Sequence, residues 1–265
     1  MNKISNILSQ FSTISLEEMN SVKLMNRKET KFAFRFSQLE LILNDITQDY
    51  KLLQVEGKHI SRYKTLYFDT PNLDLYLQHH SGQLNRYKIR HRTYVENNLG
   101  FLEVKFKNNK GRTIKNRIKN LEISENWTSK NELFLNEMLP FNPNVLIPTI
   151  WVNYSRLTLV NKKSAERLTI DLDLEFVKDD KIINLSNLVI AEVKQEKRKT
   201  SPILSIFKKY HIREGSMSKY CMGIAMTTDY IKKNNFKEKL QTLKHIINYD
   251  PITNTIRNRS SNFRS

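Results

Sequence analysis

"RYKIRHR", residues 86–92, places a cation at every second position: Arg86, Lys88, Arg90 and Arg92. Tyr87, Ile89 and His91 fall between them. Side chains alternate across a β-strand, so as a strand this segment carries four positive charges on one face. Such a row is unfavourable unless opposite charge meets it. What meets it decides the fold.

Other segments repeat the pattern. In 101–107, "FLEVKFK", Glu103, Lys105 and Lys107 oppose Leu102, Val104 and Phe106. In 113–119, Thr113, Lys115, Arg117 and Lys119 oppose Ile114 and Ile118. In 27–36 one face carries Arg27, Glu29, Lys31 and Arg35. In 167–176, Arg167, Thr169, Asp171, Asp173 and Glu175 oppose Leu168, Ile170, Leu172, Leu174 and Phe176. In 189–194, Glu192 and Lys194 alternate with Ala191 and Val193. These strands follow one another with few helices between, which predicts an antiparallel sheet in an α+β protein.

Helices are expected at 37–50, 131–139, 201–211 and 236–248, the last with Phe236, Leu240, Leu243 and Ile247 on one stripe. Ser37 is the expected N-cap of the first, with Glu40 completing a capping box. After the strand ending "LYFD", Asp69 or Thr70 is expected to cap a further helix, with Pro71 in its first position. Residues 1–21 read as a helix or tail, and 231–265 as a helix with a basic, solvated tail.

A half-exposed sheet with a solvated polar side is the ordinary meaning of alternation. Three features favour closing the sheet instead. The pair Glu-x-Lys recurs at Glu29/Lys31, Glu103/Lys105 and Glu192/Lys194. The cationic positions are rich in Arg, which binds phosphate oxygens in planar pairs. Left open, the charged faces would also make a flat and strongly basic surface. A barrel of about eight strands with helices packed outside turns them onto one lumen, where a polyanion relieves the repulsion.

The net charge of +17 on 265 residues favours polyanionic partners. The one cysteine, Cys221, excludes an intrachain disulfide and a Cys-rich zinc site. No apolar run approaches the ~20 residues that span a bilayer, and the N-terminus lacks a secretory signal pattern, so a cytoplasmic protein is expected. Phe32, Phe34 and Phe106 alternate away from the cations, unlike the interleaved aromatics of nucleic-acid readers. Tyr87 and Tyr94 are the exceptions to examine.

Seven segments in order resemble the catalytic domain of the vacuolar transporter chaperone (VTC) family, polyphosphate polymerases of the triphosphate tunnel metalloenzyme superfamily to which CYTH domains also belong. They are "RKETKF", "LYFDTP", "KIRHRTY", "FLEVKFK", "NYSRLTLVNKKSAERLTIDLDLEF", "IAEVKQ" and "GSMSKYCMGI", spanning roughly 22–230. The resemblance implies phosphate-binding roles for Arg27, Lys31, Arg90, Arg92, Lys105, Arg156, Arg167, Ser218 and Lys219. Lys115 and Arg117 are both candidates for a further basic position. Lys31, Arg90, Arg92 and Lys219 are expected at the transferred phosphoryl group. Glu192 is implied as the main ligand of a divalent metal, Mn²⁺ or Mg²⁺, with Glu29 and Glu103 in the same lumen as further ligands, holding waters or ordering the cations.

CYTH-type triphosphatases open with E-x-E-x-K. Here Arg27 replaces the first Glu, as in the polymerase branch. The implied reaction moves the γ-phosphoryl group of ATP onto inorganic polyphosphate, with no sequence-specific nucleic acid. Neither the SPX-type domain nor the membrane segments of eukaryotic members are matched, and a soluble form is expected. The competing readings are a tunnel-type triphosphatase and a non-catalytic polyphosphate or nucleic-acid binder.

Overall fold

The computed structural model describes residues 2–21, 28–121, 127–196 and 201–248. In chain order the elements are α1 (Asn2–Leu8), β1 (Ser12–Ile14), α2 (Leu16–Ser21), β2 (Lys28–Arg35), α3 (Leu39–Ile46) and β3 (Tyr50–Leu53). Then come β4 (Ser61–Asp69), α4 (Asp74–His80), β5 (Arg86–Tyr94), β6 (Leu99–Lys107), β7 (Thr113–Lys119) and α5 (Ser129–Met138). The chain continues through β8 (Ile147–Asn161), β9 (Glu166–Lys178), β10 (Lys181–Leu185), β11 (Leu188–Gln195) and α6 (Pro202–Lys209). It ends in β12 (Glu214–Gly215), α7 (Lys219–Thr227) and α8 (Lys237–Asn248).

The strands form one sheet in the order β12-β2-β11-β9-β8-β4-β5-β6-β7, with β10 beside β9 and the short β1 and β3 attached to β8. Every pairing is antiparallel except β1 with β3. The expected α+β class with a large antiparallel sheet is therefore present. The expected closure is not made by hydrogen bonds: among the described residues no pairing joins β7 to β2 or β12.

The sheet nevertheless curls tightly. Flat, it would hold β2 and β5 roughly 24 Å apart, five strand spacings. Yet Lys31 of β2 donates to the Met217 carbonyl at 3.1 Å, and Lys88 of β5 donates to the adjacent Ser218 hydroxyl at 2.9 Å. Both side chains therefore meet on the N-terminal cap of one helix, α7.

That helix corrects a second expectation. Helices cover the outside, but α7 lies on the inner, charged-face side. Its Tyr220, Cys221, Met222, Ile224 and Ala225 pack with Tyr67, Ile150, Val152, Leu174, Phe176 and Ile190. The inner face is thus apolar under α7 and charged beyond its N-terminus. On the outer face, α1, α3 and α6 cover Phe32, Phe34, Leu168, Ile170, Leu172 and Ala191. Leu66, Ile89, Leu102 and Val104 pack with Phe134 and Leu135 of α5.

The strict alternation read over 167–176 also fails, at a β-bulge. The β8–β9 register shifts between Asn153 and Ser155, and Asp173 takes φ +51°. An extra residue on one strand reverses which face later side chains occupy. Leu168, Ile170 and Leu172 therefore pack outward, while Leu174 and Phe176 pack inward against α7. Asp173 is exposed, and Glu175 accepts from Asn153 at 2.8 Å, so neither joins the charged inner face.

One cap moved, and the helix after β4 starts later than expected while keeping its expected capping side chains. Gln38, not Glu40, closes back on the chain, its side chain accepting from the Arg35 N–H at 3.2 Å. α4 starts at Asp74, with Thr70 accepting from its N–H and Asp69 from those of Leu75 and Tyr76. Pro71 lies in the turn before it.

Gly223 lets α7 reach the sheet. A Cβ there would lie 2.7 Å from Ile150 Cδ1 and 2.8 Å from Phe176 Cδ1, both in the core. Gly223→Val is expected to lower the unfolding free energy by about 1–3 kcal/mol through overpacking. Urea titration checks it, and unchanged stability would contradict this packing.

Candidate functional site

The register of β5, β6 and β7 sets the first cluster. Arg90 faces Glu103, and Glu103 faces Arg117 on its other side; Lys88, Lys105 and Lys115 form the adjacent row. Glu103 is fully buried. One of its oxygens takes Arg90 Nη2 at 2.6 Å and Nε at 2.7 Å, and the other takes Lys115. Burial pushes its carboxyl up, but Arg90, Arg92 and Lys115 outweigh that and hold it well below the usual carboxylate range. Lys105 is pushed far down by Arg90, by burial and by Arg92 and Lys115. Burial lowers Lys115 to about 8 despite Glu103. The cluster holds more cations than its one carboxylate can offset.

β8 and β9 build the second. Arg156 grips Asp171 with two parallel bonds of 2.5 and 2.8 Å, and Lys219 from α7 pairs with the same carboxylate. Burial raises the Asp171 carboxyl, but Arg156 and Lys219 bring it well below its ordinary value. Arg156 and Arg92 lie 5.0 and 5.4 Å from the centre of the Tyr63 ring, and Lys219 lies 4.8 Å from that of Tyr154.

The α7 cap joins the clusters. Ser218 accepts from the Cys221 N–H at 3.3 Å, as an N-cap does, and from Lys88. Tyr220 stacks on Tyr67 with ring centres 4.9 Å apart and donates to the buried Asp69 carboxylate. Tyr67 in turn accepts from Arg90 Nη1 at 3.1 Å.

On the facing wall, Glu192 lies 2.7 Å from Lys194 and 3.8 Å from Lys31; Glu29 lies 3.8 Å from Lys194. Burial raises Glu192, yet Lys194 and Lys31 bring it down to about 2. Thr169, directly across from Glu192 in register, has a buried hydroxyl without a hydrogen-bond partner among the described residues. Glu192 beside an orphaned hydroxyl, with Glu29 across from Lys194 on the same wall, offers hard oxygens that suit a divalent cation completed by phosphate oxygens and water. A protein cage is not formed: among the described residues no three His, Cys, Asp or Glu side chains group as metal ligands.

A family profile described as the VTC domain matches residues 26–228. The chain belongs to the VTC domain family. No curated protein matches it in sequence. Among solved structures it is similar to a putative adenylyl cyclase from Hippeastrum described as having a dominant triphosphatase activity (14% identity, 77% of this chain and 98% of that one, TM-score 0.47). It is also similar to a putative adenylate cyclase from Bacillus halodurans (14%, 77% and 100%, TM-score 0.45). A third is a protein from Pyrococcus horikoshii (11%, 76% and 98%, TM-score 0.45). With scores below 0.5, these likenesses add nothing to the family match.

Within the VTC domain, the sequence-predicted residues Lys31, Arg90, Arg92, Lys105, Lys115, Arg117, Arg156, Arg167, Glu29, Glu103 and Glu192 share the inner face by register. Ser218 and Lys219 reach it from α7. Lys115 and Arg117 are both present there, Lys115 on Glu103 and Arg117 4.4 Å from the Phe101 ring centre. Arg27 lies outside the described residues. Sequence reasoning missed Lys88 as a site residue, although the alternation of 86–92 marks its face. It also missed Tyr63, Tyr67 and Tyr154, whose inward direction follows only from pairing with β5. Tyr87 points outward and stacks on Phe106 at 4.7 Å. No helix among the described residues is long and apolar enough to cross a membrane.

Proposed function

We propose that this VTC domain is a polyphosphate polymerase that moves the γ-phosphoryl group of ATP onto the end of an inorganic polyphosphate chain. What supports the reading is the charge arrangement of the inner face. Arg90, Arg92, Lys88, Lys105, Lys115, Arg156 and Lys219 converge there, and the two buried carboxylates among them, Glu103 and Asp171, are already paired. The surplus positive charge favours a polyanion threaded through the space the curled sheet encloses.

Phosphoryl transfer needs orientation and charge neutralisation more than a covalent nucleophile. Arg156, held flat by Asp171, and Arg90, held by Glu103, present preorganised guanidinium forks to phosphate oxygens. Lys219 and Lys31 supply point charges at the α7 cap. An acceptor phosphate is already anionic, so no strong general base is required. Glu192 and Glu29 would hold Mn²⁺ or Mg²⁺, which when bound offsets charge between donor and acceptor phosphates. Glu103 is enclosed by cations and serves to order them.

The test incubates the protein with ATP and Mn²⁺ or Mg²⁺, with and without a short polyphosphate primer, beside a Glu192→Ala variant. Long phosphate polymer, absent with the variant, is expected. Orthophosphate without chain growth would move the domain to a triphosphatase. Neither product, with polyphosphate still bound, would leave a binding module.

A further inference from the structure

We propose that Tyr63, Tyr94 and Phe101 form the platform on which the base of a nucleoside triphosphate stacks while its phosphates lie on Arg92 and Arg156. This rests on the triphosphate reading of the inner face and adds where the nucleoside end sits.

Phe32, Phe34, Tyr87 and Phe106 of the sheet point away from the cations, whereas Tyr63, Tyr94 and Phe101 share the cations' face, as Tyr67 and Tyr154 do. Tyr63 pairs across from Tyr94 on the inner face, and Phe101 pairs across from Arg92. The Tyr63 and Tyr94 ring centres are 5.0 Å apart, and Phe101 meets Tyr94 edge-on at 5.9 Å. All three are half-buried, and Tyr63 borders the apolar cluster under α7 and stacks on Tyr154 with ring centres 5.0 Å apart. Tyr94 and Phe101 belong to none of the packed apolar clusters among the described residues. The core therefore does not account for the inward placement of Tyr94 and Phe101.

Their cationic neighbours point to the ligand. Arg92 and Arg156 lie over Tyr63, and Arg117 lies over Phe101. An aromatic shelf bordered by guanidinium groups matches a flat base joined to a short anionic chain. The opposite end of β5 and β6 carries Arg86 across from Lys107, then Lys88 across from Lys105. One end of the inner face thus suits a base and the other only phosphate. The donor's base lies at the Tyr94 end and its γ-phosphate points toward Lys88 and Lys105.

Tyr94 is the clean probe, because its ring contacts are Tyr63 and Phe101 and it supports no cation. Calorimetric titrations of the wild-type, Tyr94→Ala and Tyr94→Trp proteins with ATP, GTP and inorganic tripolyphosphate test the assignment. Losing one stack is expected to weaken ATP about 5- to 100-fold. GTP weakens alike, because stacking tolerates any base. Tripolyphosphate affinity stays within about twofold, which also reports an intact fold, and Tyr94→Trp retains nucleotide affinity. Equal loss of ATP and tripolyphosphate, or no change in either, overturns the platform alone. A wild-type protein that binds neither ATP nor tripolyphosphate overturns the triphosphate reading with it.

Discussion

Replacing Lys219 by alanine is expected to slow phosphoryl transfer by on the order of 10²–10³-fold, the usual loss on removing one preorganised charge from a transition state. The residue opens α7, where Ser218 caps the helix and Lys88 fixes the cap from the far side of the curled sheet. Its ammonium therefore has little freedom to follow a misplaced phosphate. The fold is expected to survive the change, because Asp171 keeps both bonds from Arg156. α7 likewise keeps its Tyr220 bond to Asp69 and its apolar packing. Single-turnover rates with ATP, beside a urea titration of the same variant, check both halves. A rate within threefold of wild type would remove Lys219 from the reacting groups. A large drop in stability would make it a structural residue.

Glu103→Ala is expected to have the largest effect on stability. It removes the one carboxylate between Arg90 and Lys115 in a fully buried position. Breaking a buried ion pair from one side costs about 3–5 kcal/mol, since the remaining charges stay desolvated and unpaired. Glu103→Gln keeps the shape and an acceptor, and so is expected to cost less. Added tripolyphosphate should restore more stability to either variant than to the wild type, because its charge replaces the missing carboxylate. Equal stabilisation of all three proteins would mean that phosphate does not reach Arg90.

The same pairing predicts the acid limb. The carboxyls of Glu103, Asp171 and Glu192 are all lower in the folded chain than in the unfolded one. Their stabilisation is whole above the ordinary carboxylate values near about 4. It disappears as pH falls through the depressed folded values, about 2 for Glu192. Glu103→Gln should therefore lose less stability than wild type between pH 5 and pH 2, as roughly one such group no longer contributes.

Much of this was legible in the chain. Alternation is a local property, so the period of two in 86–92, 101–107 and 113–119 assigned cations and core to opposite faces before any pairing was known. The spaced Glu-x-Lys and Arg-x-Arg motifs carried the VTC resemblance. Register and long-range contact are not local, and four features depend on them. They are the bulge at Asp173 that turns Leu174 and Phe176 inward, and the seating of α7 inside the sheet. They are also the assignment of Glu103 to Arg90 and Lys115 but of Asp171 to Arg156 and Lys219, and the inward shelf of Tyr63, Tyr94 and Phe101. Residue type and spacing determined which charges face inward, except at Asp173 and Glu175, which the bulge removes from that face. Only the curl of the sheet, set by pairings between distant segments, decided which of them meet.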